Sequence, residues 1–210
     1  MLIYFVRDKD ISLDQHRGLE TIDANVLFVL IRASVEQVSQ AFSNLRQMNV
    51  WERNIYEREI DIHNESFLVF QLRGHPWSLI YKFNLPSNRI YLTEEDAQSI
   101  SESLGTSAIF YAGSDTCGTM EYHLYHHGIL QEKLSFEEEV SIEFQSQLRQ
   151  IEAGDIKSAY RFTMDFIREQ DAYIPCLIEV EDLKVGQRTK LHIEDLMPDE
   201  VERMDYLAQQ

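Results

Sequence analysis

Residues 25–33, NVLFVLIRA, form a run that is uninterrupted by any polar side chain from Val26 to Ile31. A short apolar run rich in β-branched residues predicts a strand buried on both faces of a sheet. In the next segment, SVEQVSQAFSNLRQ, Ser34 and Gln37 have the spacing of a capping box. Its apolar side chains recur at helical spacing. The sequence therefore predicts a buried strand followed at once by an amphipathic helix.

Several further strands are predicted on both sides of a second helix. NIYEREIDI, FLVFQL and WSLIYKF are separated by the turn-like segments HNES and RGHP, and such short connections favour antiparallel pairing. A similar order follows: a short strand RIYL, a helix from Thr93 to Gly105, the strand SAIFYA and a hairpin. Residues 25–83 and 88–134 thus predict two β-α-β-β type units, a pseudo-duplication of order without matching residues.

The C-terminal extension, 135–210, predicts mainly helices. Phe136, Val140, Phe144 and Leu148 step by four, which predicts a helix ending at Gly154. Further helices are predicted over 156–170 and from Pro198 onward, with strands CLIEVED and RTKLHIE between them. With no linker rich in Pro, Gly or Ser, the expected fold is a single α+β domain over 1–210, a largely antiparallel sheet with covering C-terminal helices.

The charge is strongly negative and uneven. The net charge is −17, with 14 acidic and 10 basic residues in 1–100 and 22 acidic and 9 basic residues in 101–210. Such a surface repels nucleic-acid phosphate and anionic lipid, so neither nucleic acid nor membrane is an expected partner. It attracts a basic protein partner or simply keeps the chain soluble.

No apolar run approaches the ~20 residues of a membrane helix, and the N-terminal MLIYFVRDKD has no basic segment before its apolar run. A cytoplasmic location is therefore expected. Cys117 and Cys176 are too few for a disulfide framework and form no CxxC motif, so one surface thiol and one buried thiol are expected, with no cofactor.

The segment TMEYHLYHHGILQEKL, 119–134, predicts a hairpin with His127 and Gly128 in its turn. Alternation assigns Met120, Tyr122 and Leu124 to the core face, and Glu121, His123 and Tyr125 to a face toward water or a cleft. A metal site needs three or four converging ligands, whereas His123 and His127 would lie about 13 Å apart along a strand. No metal site is predicted.

Candidate catalytic residues cluster around the loop GSDTCGT, 113–119. Cys117 and His123 could act as nucleophile and base, with Asp115 beside them, and loops carry function more often than cores. The favoured alternative is a connecting loop in which Asp115 bonds nearby amides and Gly118 allows the bend.

Candidate binding residues come from RGHPWSLIY, 73–81, and from the hairpin: His75, Trp77 and Tyr125. Aromatic and basic tips recur at recognition surfaces. The favoured alternative is a turn whose Trp77 anchors the sheet.

No phosphate-binding loop, GxSxG elbow, HExxH or calcium-loop motif is present. The composition is similar to that of small acidic bacterial accessory proteins, including immunity and antitoxin-type inhibitors, a likeness that assigns no residue. The leading hypothesis is a non-enzymatic cytosolic module that binds a basic protein through its acidic C-terminal half. The alternatives are a small hydrolase or metal-dependent enzyme using 113–127, and nucleic-acid mimicry by the acidic surface.

Overall fold

The computed structural model describes residues 2–6, 11–21, 25–85, 90–179, 184–194 and 196–210. Its α-helices are α1 Val35–Arg46, α2 Glu94–Leu104 and α3 Ala159–Glu169. Its strands are β1 Leu2–Val6, β2 Gly18–Leu19, β3 Val26–Ile31, β4 Val50–Glu52, β5 Glu59–Asp61, β6 Phe67–Leu72, β7 Ser78–Lys82, β8 Ser107–Ser114, β9 Thr119–His126, β10 Ile129–Glu137, β11 Ser141–Ser146, β12 Tyr173–Ile174, β13 Cys176–Glu179, β14 Arg188–Lys190, β15 His192–Glu194 and β16 Val201–Ala208. One-turn 3-10 helices span Leu13–Gln15, Ala153–Asp155 and Pro198–Glu200.

A nine-stranded sheet organises the fold, in the order β11-β10-β9-β8-β3-β7-β6-β16-β4. Every neighbouring pair in it is antiparallel. The predicted mixed α+β class with a large antiparallel sheet is therefore confirmed. The smaller sheets are β13-β1-β15, β12-β2 and β14-β5.

The apolar run that predicted a doubly buried strand is β3, the middle strand of the nine. Val29 and Ile31 pack into the cluster formed by α1 and α2, which contains Val38 and Ile100. Phe28 and Leu30 pack into the opposite cluster, which includes side chains of α3. Because apolar layers cover both faces, no polar residue is tolerated between Val26 and Ile31.

The predicted capping box at the start of α1 and the predicted glycine at the end of α2 are confirmed. Ser34 Oγ accepts the Gln37 amide at 3.4 Å, while Gln37 Oε1 accepts the Ser34 amide at 3.3 Å. Gly105 ends α2 with a φ of 59°, a left-handed conformation that glycine adopts without steric cost. Arg46 of α1 donates from Nε to the buried Asp96 of α2 at 2.6 Å, which joins the two helices.

The predicted helix over 135–151 is wrong. β10 continues to Glu137, a turn follows, and β11 returns alongside it. The register pairs Phe136 with Ile142 and Leu134 with Phe144, which places Phe136 and Phe144 on one face of the sheet. Their spacing also fits one face of a helix. Both side chains pack against the cluster beneath α3.

The predicted helix from Pro198 is also wrong, because only one 3-10 turn forms before β16 enters the sheet between β6 and β4. NIYEREIDI contributes only β5, which pairs with β14 outside the large sheet. Residues 90–92 of the predicted strand RIYL are not in a strand, and residue 89 lies outside the described residues. The two β-α-β-β type units are therefore not confirmed. Among the described residues after 135, α3 is the one α-helix of the C-terminal helices that were predicted to cover the sheet.

Asp205 of β16 is fully buried and yields a prediction on pH. Its carboxylate accepts hydrogen bonds from Arg203 Nε at 2.8 Å, Trp51 Nε1 at 2.9 Å and the Asn54 amide at 2.9 Å. Burial alone raises the pKa of Asp205, but these hydrogen bonds outweigh burial and lower the pKa below its ordinary value. The carboxylate therefore stabilises the fold above about pH 4, and this contribution is lost as the pH falls through the lowered pKa.

We expect Asp205→Asn to lower the free energy of unfolding by about 2 kcal/mol near neutral pH, since charge-assisted hydrogen bonds are lost. The deficit should shrink below about pH 4 as the wild-type carboxylate becomes protonated. Urea unfolding at neutral and acidic pH measures both values, with the exposed Asp199→Asn as control. A deficit that is independent of pH would contradict the assignment.

Candidate functional site

The predicted catalytic loop is a tight turn between β8 and β9. Asp115 Oδ1 accepts the Thr116 amide at 2.6 Å and the Thr116 hydroxyl at 3.1 Å. Gly118 has a φ of 61°, as the bend requires. Cys117 is exposed, whereas Cys176 is buried, which confirms the expected division of the two thiols. These contacts agree with the alternative prediction, in which the segment is only a connecting loop and Asp115 bonds a nearby amide.

His123 lies on the predicted face of β9, but it is buried and does not face water. Its side chain lies beside Phe110, with ring centroids 5.8 Å apart, and the residue is only 8 % exposed. The reason is that α2 packs against β8 and β9 and covers this face of the hairpin. The core face, in contrast, is as predicted, because Met120, Tyr122 and Leu124 are all buried. The hairpin turn is also confirmed, with φ values of 51° at His127 and 75° at Gly128.

Glu121, His123 and Tyr125 form a hydrogen-bonded chain along one face of β9. His123 Nε2 lies 2.8 Å from Glu121 Oε1, and Nδ1 lies 3.3 Å from the Tyr125 hydroxyl. The hydrogen bond from His123 lowers the pKa of Glu121. Burial and nearby carboxylates raise the pKa of Tyr125 to about 12, so its phenol stays protonated.

The structure does not bring the three candidate catalytic residues together. His123 lies four residues along β9 from the turn that holds Asp115 and Cys117, about 13 Å of strand, and both of its ring nitrogens contact its own strand. In the described part of the chain, no group of three or more His, Cys, Asp or Glu side chains is arranged to hold a metal ion.

His75 and Trp77 lie in the core rather than on an exposed edge. Trp77 is 1 % exposed, and its indole Nε1 donates to the Gln170 carbonyl at 3.0 Å. His75 Nε2 lies 2.8 Å from the Leu13 carbonyl, and burial lowers the pKa of His75. Trp77 therefore anchors the sheet in the core, as the alternative prediction for this segment has it, and does not form an exposed binding edge. Tyr125 is buried as well.

The sequence patterns did not indicate the open edge of the large sheet at β11. No strand pairs with its outer side among the described residues. The 3-10 helix Ala153–Asp155 lies near β11, but no backbone hydrogen bond joins the two. Ile142 and Phe144 point toward α3, where Phe144 packs edge-on against Phe162 with centroids 5.2 Å apart. The alternate residues, Ser141, Glu143 and Gln145, are exposed.

Acidic and apolar groups surround this edge. Glu137, Glu138 and Glu139 are exposed at the turn before β11, and residues 137–147 contain no Lys or Arg. Val140 and Leu148, at the two ends of the strand, are 68 % and 56 % exposed. Within the part of the chain that the structure describes, the edge therefore combines backbone that no strand pairs with, a negative rim and apolar ends.

A groove of about 460 Å³ lies beside the edge, between α3 and the chain that follows β11. Ile151, Ile156 and Phe162 give it an apolar lining, and its charged residues are two acidic and two basic side chains: Asp155, Asp165, Lys157 and Arg161. Phe162 is the ring against which Phe144 packs, so the groove and the edge strand are continuous.

A larger cleft, of about 790 Å³, opens where β3 begins and β7 and β8 end. Asp115 lines this cleft, whereas His75 and His123 do not. Tyr81, Lys82 and Glu179 also line it. No sequence motif links Glu179 to the other two, because it lies 98 residues after Tyr81.

The chain matches no protein-family model, and searches among curated proteins and among solved structures found no significant match. Within the described ranges, no helix has both the length and the apolar character needed to cross a membrane.

Proposed function

We propose that this chain is a protein-binding module that takes up an extended, basic segment of a partner protein along β11. The observation that carries the proposal is a six-residue open edge strand with an acidic rim. An added strand would pair with the unpaired backbone of β11, and alternate side chains of the segment would reach the neighbouring groove.

The sequence of β11 supports a binding role for this edge. Proteins commonly block sheet edges with proline, lysine, a bulge or a very short strand. SIEFQS has neither proline nor lysine, whereas the edge at the opposite end of the sheet, β4, spans only three residues. A like-charged strand placed opposite Glu143 is disfavoured, so the glutamates oppose pairing between two copies of this chain while attracting a basic strand.

The charge distribution supports a basic partner. Residues 101–210 carry 22 of the 36 acidic residues, and the exposed Glu137, Glu138, Glu139 and Glu143 are concentrated at one end of β11. Complementary charges of this kind increase the association rate and fix the register of a bound segment. The alternative of a hydrolase or metal-dependent enzyme finds no support in the placement of Asp115, Cys117 and His123.

A synthetic peptide of alternating lysine and valine, labelled for fluorescence anisotropy, tests this proposal. We expect Glu143→Lys to weaken binding about tenfold, or about 1.4 kcal/mol. The substitution reverses a charge on β11, the strand with which the basic peptide would pair. Glu202→Lys is the matched control, since it changes the net charge equally from an exposed position on β16. Wild-type affinity should also fall as salt is added.

A second peptide, N-methylated at alternate residues, separates strand addition from charge attraction alone. It keeps every side chain and charge but loses the amide protons needed to pair with the edge. We expect it to bind at least about tenfold more weakly. Equal binding of the two peptides, or equal effects of the two charge reversals, would contradict strand addition at β11.

A further inference from the structure

The segment 11–21 lies against the rest of the protein at two places. At its end, β2 pairs with β12, where the amides of Gly18 and Glu20 donate to carbonyls in and beside that strand at 2.9 and 3.0 Å. Nearer its start, Leu13 is 3 % exposed and belongs to the cluster that includes side chains of α3. Exchange of the two amides with solvent therefore reports whether the segment is docked.

The turn before β7 comes very close to this segment at Gly74. A Cβ atom on Gly74 would lie 2.7 Å from Asp14 Cβ, well inside the ~3.5–4.0 Å at which carbon atoms pack. Gly74 also has a φ of 81°, a conformation that glycine adopts without steric cost. The close approach brings the next residue, His75, against the segment, where its side chain is buried.

Both ring nitrogens of His75 face the segment. Nε2 lies 2.8 Å from the Leu13 carbonyl oxygen, and Nδ1 lies 3.4 Å from Nη1 of Arg17. Because a carbonyl oxygen only accepts hydrogen bonds, Nε2 carries the proton of the neutral ring and Nδ1 carries its lone pair. A second proton would therefore have to be added at Nδ1, which faces a guanidinium.

Arg17 is fixed beside the ring by other contacts. Its Nη1 donates to the carbonyls of Asp14 at 2.8 Å and of His16 at 2.7 Å. Its Nε donates to the carboxylate of Asp171, just after α3. The guanidinium therefore cannot turn away from a protonated His75 without breaking these hydrogen bonds.

The surroundings of His75 disfavour a positive charge on its ring. Burial lowers the pKa of His75, and the charge of Arg17 acts in the same direction, whereas the Leu13 carbonyl and the Asp171 carboxylate oppose the change. Asp171 is 56 % exposed and is already paired with Arg17. The titratable and charged groups around the ring are Asp14, His16 and Arg17 on the segment, Asp171 and Tyr173 after α3, and on its own turn Arg73, which pairs with the exposed Glu202.

We propose that His75 is a pH-sensitive latch for the segment 11–21, which the neutral ring holds docked and the protonated ring releases. Protonation places a positive charge at Nδ1, 3.4 Å from Nη1 of Arg17, where shelter from water strengthens the repulsion. Once released, the ring is surrounded by water and has its ordinary pKa of about 6.5. Docking is therefore strongest above about pH 6.5 and weakens as the pH falls toward the lowered pKa of the docked ring. The latch does not depend on the proposed function at β11.

Hydrogen–deuterium exchange of the full chain at about pH 7 and about pH 5, with rates corrected for the intrinsic effect of pH, tests the latch. We expect the protection of the Gly18 and Glu20 amides to fall about tenfold between these values, because the released ring takes up a proton over this range. Helix α2, on the opposite face of the sheet, should keep its protection. Equal protection of the two amides at both pH values, or an equal loss in α2, would overturn the proposal.

His75→Gln assigns the change to this ring, because the glutamine amide can still donate to the Leu13 carbonyl but does not titrate. We expect the protection of the segment in this variant to be the same at both pH values. The control His126→Gln, at an exposed position, should keep the tenfold change. A tenfold change that persists in His75→Gln would contradict the assignment.

An NMR titration of the wild-type imidazole is a second measurement, which does not depend on how well the variant docks. We expect the His75 ring to become protonated below about pH 6.5, together with changes in the amide signals of Gly18 and Glu20. A ring that becomes protonated at or above that pH while both amides stay protected would overturn the proposal.

Discussion

Replacing Glu132 by alanine is expected to lower the free energy of unfolding by about 3–5 kcal/mol. Glu132 of β10 has no exposed surface, yet it carries a carboxylate. Its oxygens accept hydrogen bonds from the Tyr122 hydroxyl at 2.9 Å, Ser146 Oγ at 2.7 Å and Arg149 Nε at 2.7 Å. The alanine variant leaves these donors without their acceptor inside the protein.

The location of Arg149 explains why the effect should be large. Its guanidinium bridges Glu132 to Glu169 of α3, with Nη2 2.9 Å from Glu169 Oε2. These two carboxylates raise the pKa of Arg149, although its partial burial acts in the opposite direction. Tyr122 is stacked on Phe166 of α3 with centroids 3.9 Å apart. Loss of Glu132 therefore removes a connection between the sheet and α3.

Glu169→Ala is the control for this prediction, because it removes an exposed partner of the same arginine. We expect it to cost no more than about 1 kcal/mol, as for other surface ion pairs. Urea unfolding followed by circular dichroism gives both values, and the denaturant dependence shows whether the compactness of either state has changed. Similar losses for the two variants would show that the buried carboxylate has no special role.

The sequence predicts those elements whose signals are local. The β3 strand, the capping box of α1 and the turn at His127 and Gly128 each depend on residues a few positions apart. In each of these elements the local preference agrees with the tertiary structure. The inward direction of Met120, Tyr122 and Leu124 follows from the same alternation.

The failures occur where pairing with a distant strand decides the structure. Val201, Met204 and Ala208 are spaced as on a helix, but the segment pairs with β6 on one side and β4 on the other. Those partners lie more than 120 residues earlier in the chain, so no local pattern reveals them. Tertiary hydrogen bonding and burial on both faces then outweigh helix propensity.

The same reason explains the outcome at the candidate sites. The β11 edge is formed by a strand that lies where the sequence predicted a helix. The cleft combines Tyr81 and Lys82 with Asp115 and Glu179. Glu179 belongs to a separate sheet, so only the tertiary structure places these residues together. His123 was assigned to the correct face of β9, but its burial depends on α2, which packs on that face.

Replacing Trp77 by alanine is expected to lower the free energy of unfolding by about 3–5 kcal/mol, the usual range for a large aromatic side chain in a core. Trp77 is 1 % exposed and belongs to the cluster on the α3 side of the sheet. Its indole also donates to the Gln170 carbonyl just after α3. Truncation therefore leaves a cavity and removes a hydrogen bond between the β7 region and the end of α3.

Trp77→Phe separates these two contributions, because it fills most of the volume but lacks the N–H donor. We expect a smaller loss, of about 1–2 kcal/mol. Tyr91→Ala, at a position 64 % exposed, is the control and should change stability by no more than about 0.5 kcal/mol. Urea unfolding measures all three variants. If Trp77→Ala kept full stability and lost only affinity for the basic peptide, Trp77 would be a recognition residue and its placement in the core would be wrong.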